Sequence, residues 1–317
     1  MERIVVTRNP PGRALEMLDP HGEVWLWPEN EVIPRSILLE QVTRATALYS
    51  MLTDRIDREL MDAAPLLRVI SNMAVGVDNV NLEEAAARGI AVGHTPDVLS
   101  ETTADTAFAL LLAAARRLRE GLEYVTTGQW HDWDPELLWG FDVHGSTLGV
   151  VGMGRLGRAI ARRAAGFEME VIYHTRSGTR DVARWVDLPT LLERSDHVVV
   201  AVPLTEATRG MIGEAELRSM RRTATLVNIA RGPVVDTAAL IRALREGWIF
   251  AAGLDVTDPE PLPGDHPLAR LPNCFVIPHL GSSTERTRAA MAELAARNVI
   301  AGLRGEVLPA GFSNARA

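Results

Sequence analysis

Three polar residues in the last third of the sequence could together transfer a proton to a bound acid. Arg231, Glu260 and His279 each follow a short apolar run typical of a buried strand. Histidine can donate a proton near neutral pH, and a neighbouring carboxylate favours its protonated form and fixes its orientation. Arginine binds a carboxylate through paired charged hydrogen bonds. Taken singly, each residue also has an ordinary explanation: a surface ion pair, a loop carboxylate or a hydrogen-bonded residue at a strand end.

A glycine-rich turn precedes these residues and follows the apolar run 147–151. It reads Gly152-Met153-Gly154-Arg155-Leu156-Gly157 and opens a helical pattern. The first glycine permits a tight turn, the second lets the backbone approach a pyrophosphate, and the third lets the helix lie close to the strand. A plain strand-to-helix turn is the alternative. The flanking strands and helix favour a dinucleotide site, formed by Gly152, Gly154, Arg155, Leu156 and Gly157.

The end of the next strand predicts which dinucleotide is bound. An NAD site usually carries Asp or Glu there for the ribose 2′-hydroxyl, whereas this sequence reads Tyr173-His174-Thr175-Arg176-Ser177. Arg176 could pair with a 2′-phosphate, helped by the hydroxyls of Thr175 and Ser177 and by Arg180. A solvated loop arginine is the alternative. We therefore predict NADP(H) as the cofactor, with NAD(H) as the second choice.

A dinucleotide site combined with these polar residues predicts the reduction of a keto acid. Hydride arrival at a carbonyl carbon leaves charge on the oxygen, so a proton donor must stand beside it. His279 is that donor, Glu260 supports it, and Arg231 binds the carboxylate and polarises the keto oxygen. The other histidines considered lack a comparable neighbourhood: His94, His131, His144, His197 and His266. No histidine pair has the helical spacing of a zinc site, and we predict no metal.

The elements that must position these residues alternate between β-branched runs and helical patterns, which is typical of parallel sheets covered by helices on both faces. The predicted strands are 4–7, 47–52, 68–72, 147–151, 170–173, 197–202, 224–229, 251–255 and 275–277. A long helix is predicted from about Glu101 to Arg119, with Ser100 as its N-cap, and a last helix from Glu285 to Leu303. The break near the long helix marks a domain boundary.

The composition is that of an ordinary globular protein. With 317 residues, of which 47% are hydrophobic and 23% charged, two domains are the natural expectation. The net charge of -8 is spread along the chain, which argues against a nucleic-acid partner. The apolar stretch 107–115 is too short to cross a membrane. The first residues lack the features of a signal peptide, so we expect a cytoplasmic protein.

Motifs throughout the chain resemble the D-isomer-specific 2-hydroxyacid dehydrogenase family, most closely its glyoxylate/hydroxypyruvate reductase branch. They are the glycine turn and the stretches 71–78, 93–99, 228–232, 253–261 and 278–282. The resemblance implies a flavodoxin-like substrate domain, residues 1–97 with 286–317, and a Rossmann cofactor domain, residues 98–285. Both would be doubly wound parallel-sheet α/β domains. It also implies Arg231, Glu260 and His279 as the catalytic set.

Further site residues follow from the resemblance alone. It implies that the backbone N–H groups of Val75 and Gly76 bind the substrate carboxylate and that Ser282 adjoins the substrate. It places Asp255 near the nicotinamide carboxamide and gives Thr103, Ile229 and Gly281 contacts to the cofactor. The alternatives are structural: turn glycines, a strand-end cap, a helix N-terminal hydroxyl and a core residue.

The resemblance also implies an activity and an assembly. Glyoxylate and hydroxypyruvate would be reduced to glycolate and D-glycerate. A 3-phosphoglycerate dehydrogenase and a corepressor-like protein that senses dinucleotides are the alternatives. Family members are typically homodimers through the cofactor domain, with the long helix and the following loop, which contains Trp130, Trp133 and Trp139, at the interface.

Overall fold

The computed structural model describes residues 1–176, 178 and 183–312. The chain divides into two compact units. The first comprises Met1–Leu99 and Ser283–Ala317, and the second comprises Ser100–Ser282. Each unit is built on one parallel sheet.

Strands and helices alternate in the N-terminal part of the first unit, as the spacing of the apolar runs predicts. In chain order they are β1 (Arg3–Val6), α1 (Ala14–Leu18), β2 (Glu23–Leu26), α2 (Arg35–Val42), β3 (Ala47–Ser50), α3 (Arg58–Ala63), β4 (Val69–Asn72), α4 (Leu82–Ala87) and β5 (Ala91–Gly93). The sheet order is β2-β1-β3-β4-β5, with all neighbours parallel. This is a doubly wound order, in which ligands bind at the carboxyl ends of the strands.

The second unit begins with two helices and continues as a longer α/β series. Its elements are α5 (Ser100–Ala115), α6 (Leu118–Thr126), β6 (Thr147–Val151), α7 (Arg155–Ala164), β7 (Glu170–His174), β8 (Arg184–Trp185), α8 (Leu188–Arg194), β9 (His197–Val200), α9 (Glu214–Ser219), β10 (Thr225–Asn228), α10 (Thr237–Glu246), β11 (Ala251–Leu254), α11 (Pro267–Arg270) and β12 (Cys274–Val276). The sheet order is β12-β11-β10-β9-β6-β7-β8, with parallel neighbours. The strand order reverses between β6 and β9, the point where Rossmann sheets bind dinucleotides. The predicted fold class is confirmed.

The last helix, α12 (Glu285–Leu303), belongs to the first unit. Its small residues let it lie close to β3 and β4. A Cβ atom on Gly302 would come within 2.5 Å of Val69, and the hydroxyl of Tyr49 donates to the carbonyl of Ala292 at 3.1 Å. The side chain of Thr284 caps its first turn.

The long helix of the second unit is shorter than predicted. It ends at Ala115 instead of Arg119, and Ser100 is its first residue and not a preceding cap. Arg117 takes a left-handed conformation with φ of 52°, and α6 starts after it. The carbonyl of Ala115, at the end of the helix, accepts the N–H of Phe141 from a distant loop at 3.0 Å.

The apolar stretch 107–115 lies within α5, where nearly all of its residues are buried. Leu110 contacts Gly253 of β11 so closely that a Cβ atom there would lie 2.9 Å from it. Among the described residues, no helix is long and apolar enough to cross a membrane.

Candidate active site

The glycine turn between β6 and α7 has room for a phosphate group beside the helix N-terminus. Gly152 has a φ of 102°, which side chains other than glycine rarely adopt. A Cβ atom on Gly157 would lie 2.0 Å from the carbonyl oxygen of Gly152, so the helix can approach only because this residue is glycine. At Gly154 the same position is open, with no atom within 4 Å. Arg155 and Leu156 form the first turn of α7, whose N–H groups favour an anion.

Polar groups lie at the end of β7, the strand next to β6 in the sheet. The Oγ1 atom of Thr175 is buried and has no hydrogen-bond partner within the described ranges. The indole N–H of Trp185 donates to the carbonyl of Thr175 at 3.0 Å and so fixes the backbone before the exposed Arg176. Ser177 and Arg180, which are predicted to contact the 2′-phosphate, lie outside the described residues. The turn and this strand end together fit a dinucleotide.

His279 and Glu260 are hydrogen-bonded to each other. Nδ1 of His279 lies 2.6 Å from Oε1 of Glu260, and both side chains are partly buried. Because a carboxylate accepts, Nδ1 carries the proton of this bond. The second carboxylate oxygen of Glu260 accepts the N–H of Thr257 at 3.2 Å. The backbone of His279 is left-handed, with φ of 52°, and its N–H donates to the carbonyl of Asp255 at 2.9 Å.

The surroundings keep Glu260 ionised. Burial acts to raise the pKa of its carboxyl group, but the hydrogen bond and charge of His279, the N–H of Thr257 and the charge of Arg231 outweigh that effect and lower the pKa. An ionised carboxylate that faces the imidazole stabilises the imidazolium form. The pair is therefore suited to hold a proton for transfer.

Asp255 stabilises the turn that follows His279. Its carboxylate accepts the N–H groups of Leu280 at 2.6 Å and Gly281 at 3.0 Å. Burial raises the pKa of this carboxyl group, and the charge of His279 and these N–H groups partly oppose the rise. A Cβ atom on Gly281 would lie 2.7 Å from Asp255 and 3.1 Å from Thr103. The glycine thus lets these residues come together, and the next residue, Ser282, is buried. The expected contacts of Asp255, Thr103 and Gly281 with the cofactor stay predictions.

The loop that carries Arg231 is packed directly against the loop that carries Glu260. A Cβ atom on Gly232 would lie 1.9 Å from the carbonyl oxygen of Thr257. The guanidinium of Arg231 donates to the carbonyl of Ala230 at 2.9 Å. Since the charge of Arg231 also acts on Glu260, the three residues predicted as the catalytic set lie in one neighbourhood. Ile229, before this loop, is a buried core residue.

Val75 and Gly76 lie in the first unit, in the loop after β4. The carbonyl of Gly76 accepts the side-chain N–H of Asn72 at 3.1 Å. The N–H groups of Val75 and Gly76 donate no hydrogen bond to any residue that the structure describes. Two adjacent backbone donors of this kind can bind a carboxylate.

Two asparagines that are not among the predicted site residues form hydrogen bonds to these loops. Asn228 accepts the N–H of Ala230 at 3.0 Å and donates to the carbonyl of Arg231 at 2.9 Å. Asn72 holds Gly76 as described. Both are the last residues of buried strands, where a side-chain amide can hydrogen-bond to the turn that follows. An asparagine at the last position of a buried strand is the sequence signal that could have predicted this role.

Within the described part of the chain, no group of three or more His, Cys, Asp or Glu side chains could hold a metal ion. The glycine turn is the place where the geometry fits a cofactor.

Known proteins resemble this chain over nearly its whole length. The model of the NAD binding domain of D-isomer specific 2-hydroxyacid dehydrogenases matches residues 108–281. A glyoxylate reductase of Korarchaeum cryptofilum is 50% identical over 313 residues, which cover 97% of this chain and 94% of that protein.

Solved structures of other proteins are also similar to this chain over nearly its whole length. A protein of Thermus thermophilus has a TM-score of 0.93 at 48% identity, with 98% of this chain and 100% of that chain covered. An NADPH-dependent glyoxylate/hydroxypyruvate reductase of Sinorhizobium meliloti, in complex with NADP and malonate, has a TM-score of 0.86 at 32% identity. The match covers 98% of this chain and 97% of that one.

Proposed function

Since the chain belongs to the D-isomer specific 2-hydroxyacid dehydrogenase family, we propose that it reduces small 2-keto acids to D-2-hydroxy acids. Glyoxylate and hydroxypyruvate are the proposed substrates, and glycolate and D-glycerate the products. The observation that carries the proposal is the 2.6 Å bond between His279 and Glu260 beside Arg231. The similarity to a glyoxylate reductase and to a glyoxylate/hydroxypyruvate reductase supports the choice of substrate.

In the proposed reaction, side chains and backbone N–H groups bind the acid, and His279 supplies a proton. When bound, a reduced nicotinamide supplies the hydride that the keto carbon accepts. The guanidinium of Arg231 and the N–H groups of Val75 and Gly76 bind the substrate carboxylate. Glu260 holds Nδ1 of His279, so Nε2 is the nitrogen that gives its proton to the keto oxygen. The carboxylate keeps the imidazole oriented before and after the transfer.

We propose NADPH as the preferred cofactor. Gly152, Gly154 and Gly157 would hold its pyrophosphate at the start of α7. The buried hydroxyl of Thr175 and the exposed guanidinium of Arg176 suit a 2′-phosphate. The stretch 173–177 carries no carboxylate that could select the 2′-hydroxyl of NADH, and the NADP complex of the Sinorhizobium meliloti reductase supports the same choice.

We also propose that the protein is a homodimer. The helix α6 and the loop after it expose large apolar side chains, each between 52% and 83% exposed: Leu118, Leu122, Val125, Trp130, Trp133 and Trp139. On α6 these residues are spaced by three or four positions and so share one face. Several exposed large apolar side chains on one face are typical of a protein interface.

The expected location in the cytoplasm stays a prediction.

The proposal is tested by initial rates with glyoxylate, hydroxypyruvate, pyruvate and 3-phosphohydroxypyruvate, each with NADPH and NADH. We expect fast oxidation of NADPH with the first two acids. Arg231→Ala and His279→Ala should each lower kcat/KM by about 100-fold or more, since they remove the carboxylate clamp and the proton donor. Arg176→Ala should raise the KM for NADPH about ten-fold and leave NADH unaffected.

Matched controls are Arg270→Ala and His144→Ala, which remove exposed side chains away from the proposed site. Both should retain the parental rates. Cofactor binding without turnover of any keto acid would instead favour a dinucleotide sensor, and preferential turnover of 3-phosphohydroxypyruvate would favour a phosphoglycerate dehydrogenase.

A further inference from the structure

The residues His94 and Thr95 follow β5 and contact the loop that carries Val75 and Gly76. The ring atom Nδ1 of His94 lies 2.9 Å from the carbonyl oxygen of Val75. A carbonyl can only accept, so Nδ1 carries the proton and donates. Beside it, the N–H of Thr95 donates to the carbonyl of Ala74 at 2.8 Å.

These two bonds fix the directions in which the adjacent N–H groups point. A trans peptide is planar, and its C=O and N–H groups point in opposite directions. The carbonyl of Ala74 shares a peptide with the N–H of Val75, and the carbonyl of Val75 shares one with the N–H of Gly76. When Thr95 and His94 hold the two carbonyls on one side, the two N–H groups are held toward the other side. They are the donors that make no hydrogen bond to the described residues.

His94 is itself held firmly by the C-terminal part of the first unit. Its N–H donates to the carbonyl of Ala310 at 3.0 Å, and its carbonyl accepts the side-chain N–H of Asn298 at 3.0 Å. Its ring meets the ring of Phe312 edge-on, with centroids 5.3 Å apart. Phe312 is in turn bound to the edge strand β5, because its N–H donates to the carbonyl of Val92 at 2.7 Å.

We propose that His94 is a positioning residue for the substrate carboxylate. It fixes the Val75–Gly76 peptide so that the N–H of Gly76 is directed at the acid before the acid binds, and the C-terminal segment keeps the ring in place. Preorganised donors bind a ligand more tightly because less ordering is left to occur on binding. The inference rests on the proposed function, in which these N–H groups bind the keto acid. The role of His94 requires a hydrogen-bond donor at the position of Nδ1 and does not require the imidazole to change its charge.

Two substitutions at His94 test this inference. His94→Leu removes the hydrogen-bond donor and replaces the ring with an apolar side chain of similar size. The KM for glyoxylate should therefore rise about five-fold, the usual effect of losing one hydrogen bond. The kcat and the KM for NADPH should stay unchanged. His94→Asn places an amide N–H as many bonds from the backbone as Nδ1, and the KM should return to within about two-fold of the parental value. His21→Leu, in the same unit, is the matched control and should have no effect.

A binding measurement complements the kinetics. Calorimetry with oxamate, an unreactive keto-acid mimic, should show about five-fold weaker binding to His94→Leu and parental binding to His94→Asn. An unchanged KM in His94→Leu, a failure of His94→Asn to restore it, or a fall in kcat alone would overturn the inference. If the parental protein reduces no keto acid, the proposed function fails; if it does and His94→Leu behaves like it, only this inference fails.

Discussion

The hydrogen bond between His279 and Glu260 couples the orientation of the imidazole to the charge of the carboxylate. Burial acts to raise the pKa of Glu260, but His279 and the other surrounding groups lower it below its ordinary value of 4.5. Because the pKa is lowered, the carboxylate stays charged as pH falls and is neutralised only when pH passes below that ordinary value. The carboxylate that faces the imidazole therefore stays ionised at neutral and mildly acidic pH.

Glu260→Gln preserves the shape of this side chain and removes its charge. We expect kcat for glyoxylate at neutral pH to fall about ten-fold or more, because the imidazolium loses the charge that stabilises it. Steady-state rates at neutral pH check this, and a Glu260→Gln variant with the parental kcat would contradict it.

Only some of the proposed site residues could be predicted from residue types alone. Arg231, Glu260 and His279 could be proposed because each carries a charge or a proton and follows an apolar run. His94 is not among the predicted site residues, because its neighbourhood in the sequence does not resemble that of His279, and its contact is with a backbone carbonyl 19 positions away. Which carbonyl a side chain reaches is decided by the fold, so a single sequence offers no signal for it.

At the scale of elements, buried strands were predictable, whereas three of the four edge strands of the described sheets were not. Strands such as β9 are buried on both faces and read as continuous apolar runs. The strands that the sequence analysis did not single out, β2, β5 and β8, lie at or next to the sheet edges, where exposed or short runs give a weak signal. Several predicted strands extended too far, for example to Val202 and Asp255, because apolar residues such as Val202 and Val256 lie in the loops that follow.

The contact between the Arg231 and Glu260 loops predicts a strict requirement for Gly232. In Gly232→Ala the new Cβ atom would overlap the carbonyl of Thr257, from which it would lie 1.9 Å away, so the loops must separate. We expect kcat/KM for glyoxylate to fall about 100-fold, the effect of displacing reacting groups by roughly 1 Å. Steady-state rates measure this change.

The matched control for this variant is Gly166→Ala, where a Cβ atom would meet no other atom within 4 Å. It should keep parental activity. If Gly232→Ala were fully active, the close packing of the two loops would not be what positions Arg231 and Glu260.

At the scale of the whole chain, sequence periodicity shows which face of a helix is buried but not what covers it. The Ala-rich face of α12 packs on the first sheet, where Tyr49 reaches Ala292, a partner 243 positions later in the sequence. The last carbonyl of α5 likewise accepts a hydrogen bond from Phe141 in a distant loop. Contacts between distant segments are decided by tertiary packing, which the pattern along one segment does not contain.

The exposed apolar face of α6 and the loop after it yields a prediction about assembly. A charge at the centre of such an interface would be buried without a partner, and in a symmetric dimer it would occur twice. Leu122→Glu should therefore weaken the dimer by about 100-fold or more. Light scattering after gel filtration measures this: the parental protein should have twice the 34.6 kDa mass of one chain, and the variant the mass of one chain. Leu66→Glu, at an exposed leucine of the first unit, is the matched control and should remain dimeric. A parental protein that elutes as a single chain, or a Leu122→Glu variant that stays dimeric, would show that this face does not join two copies.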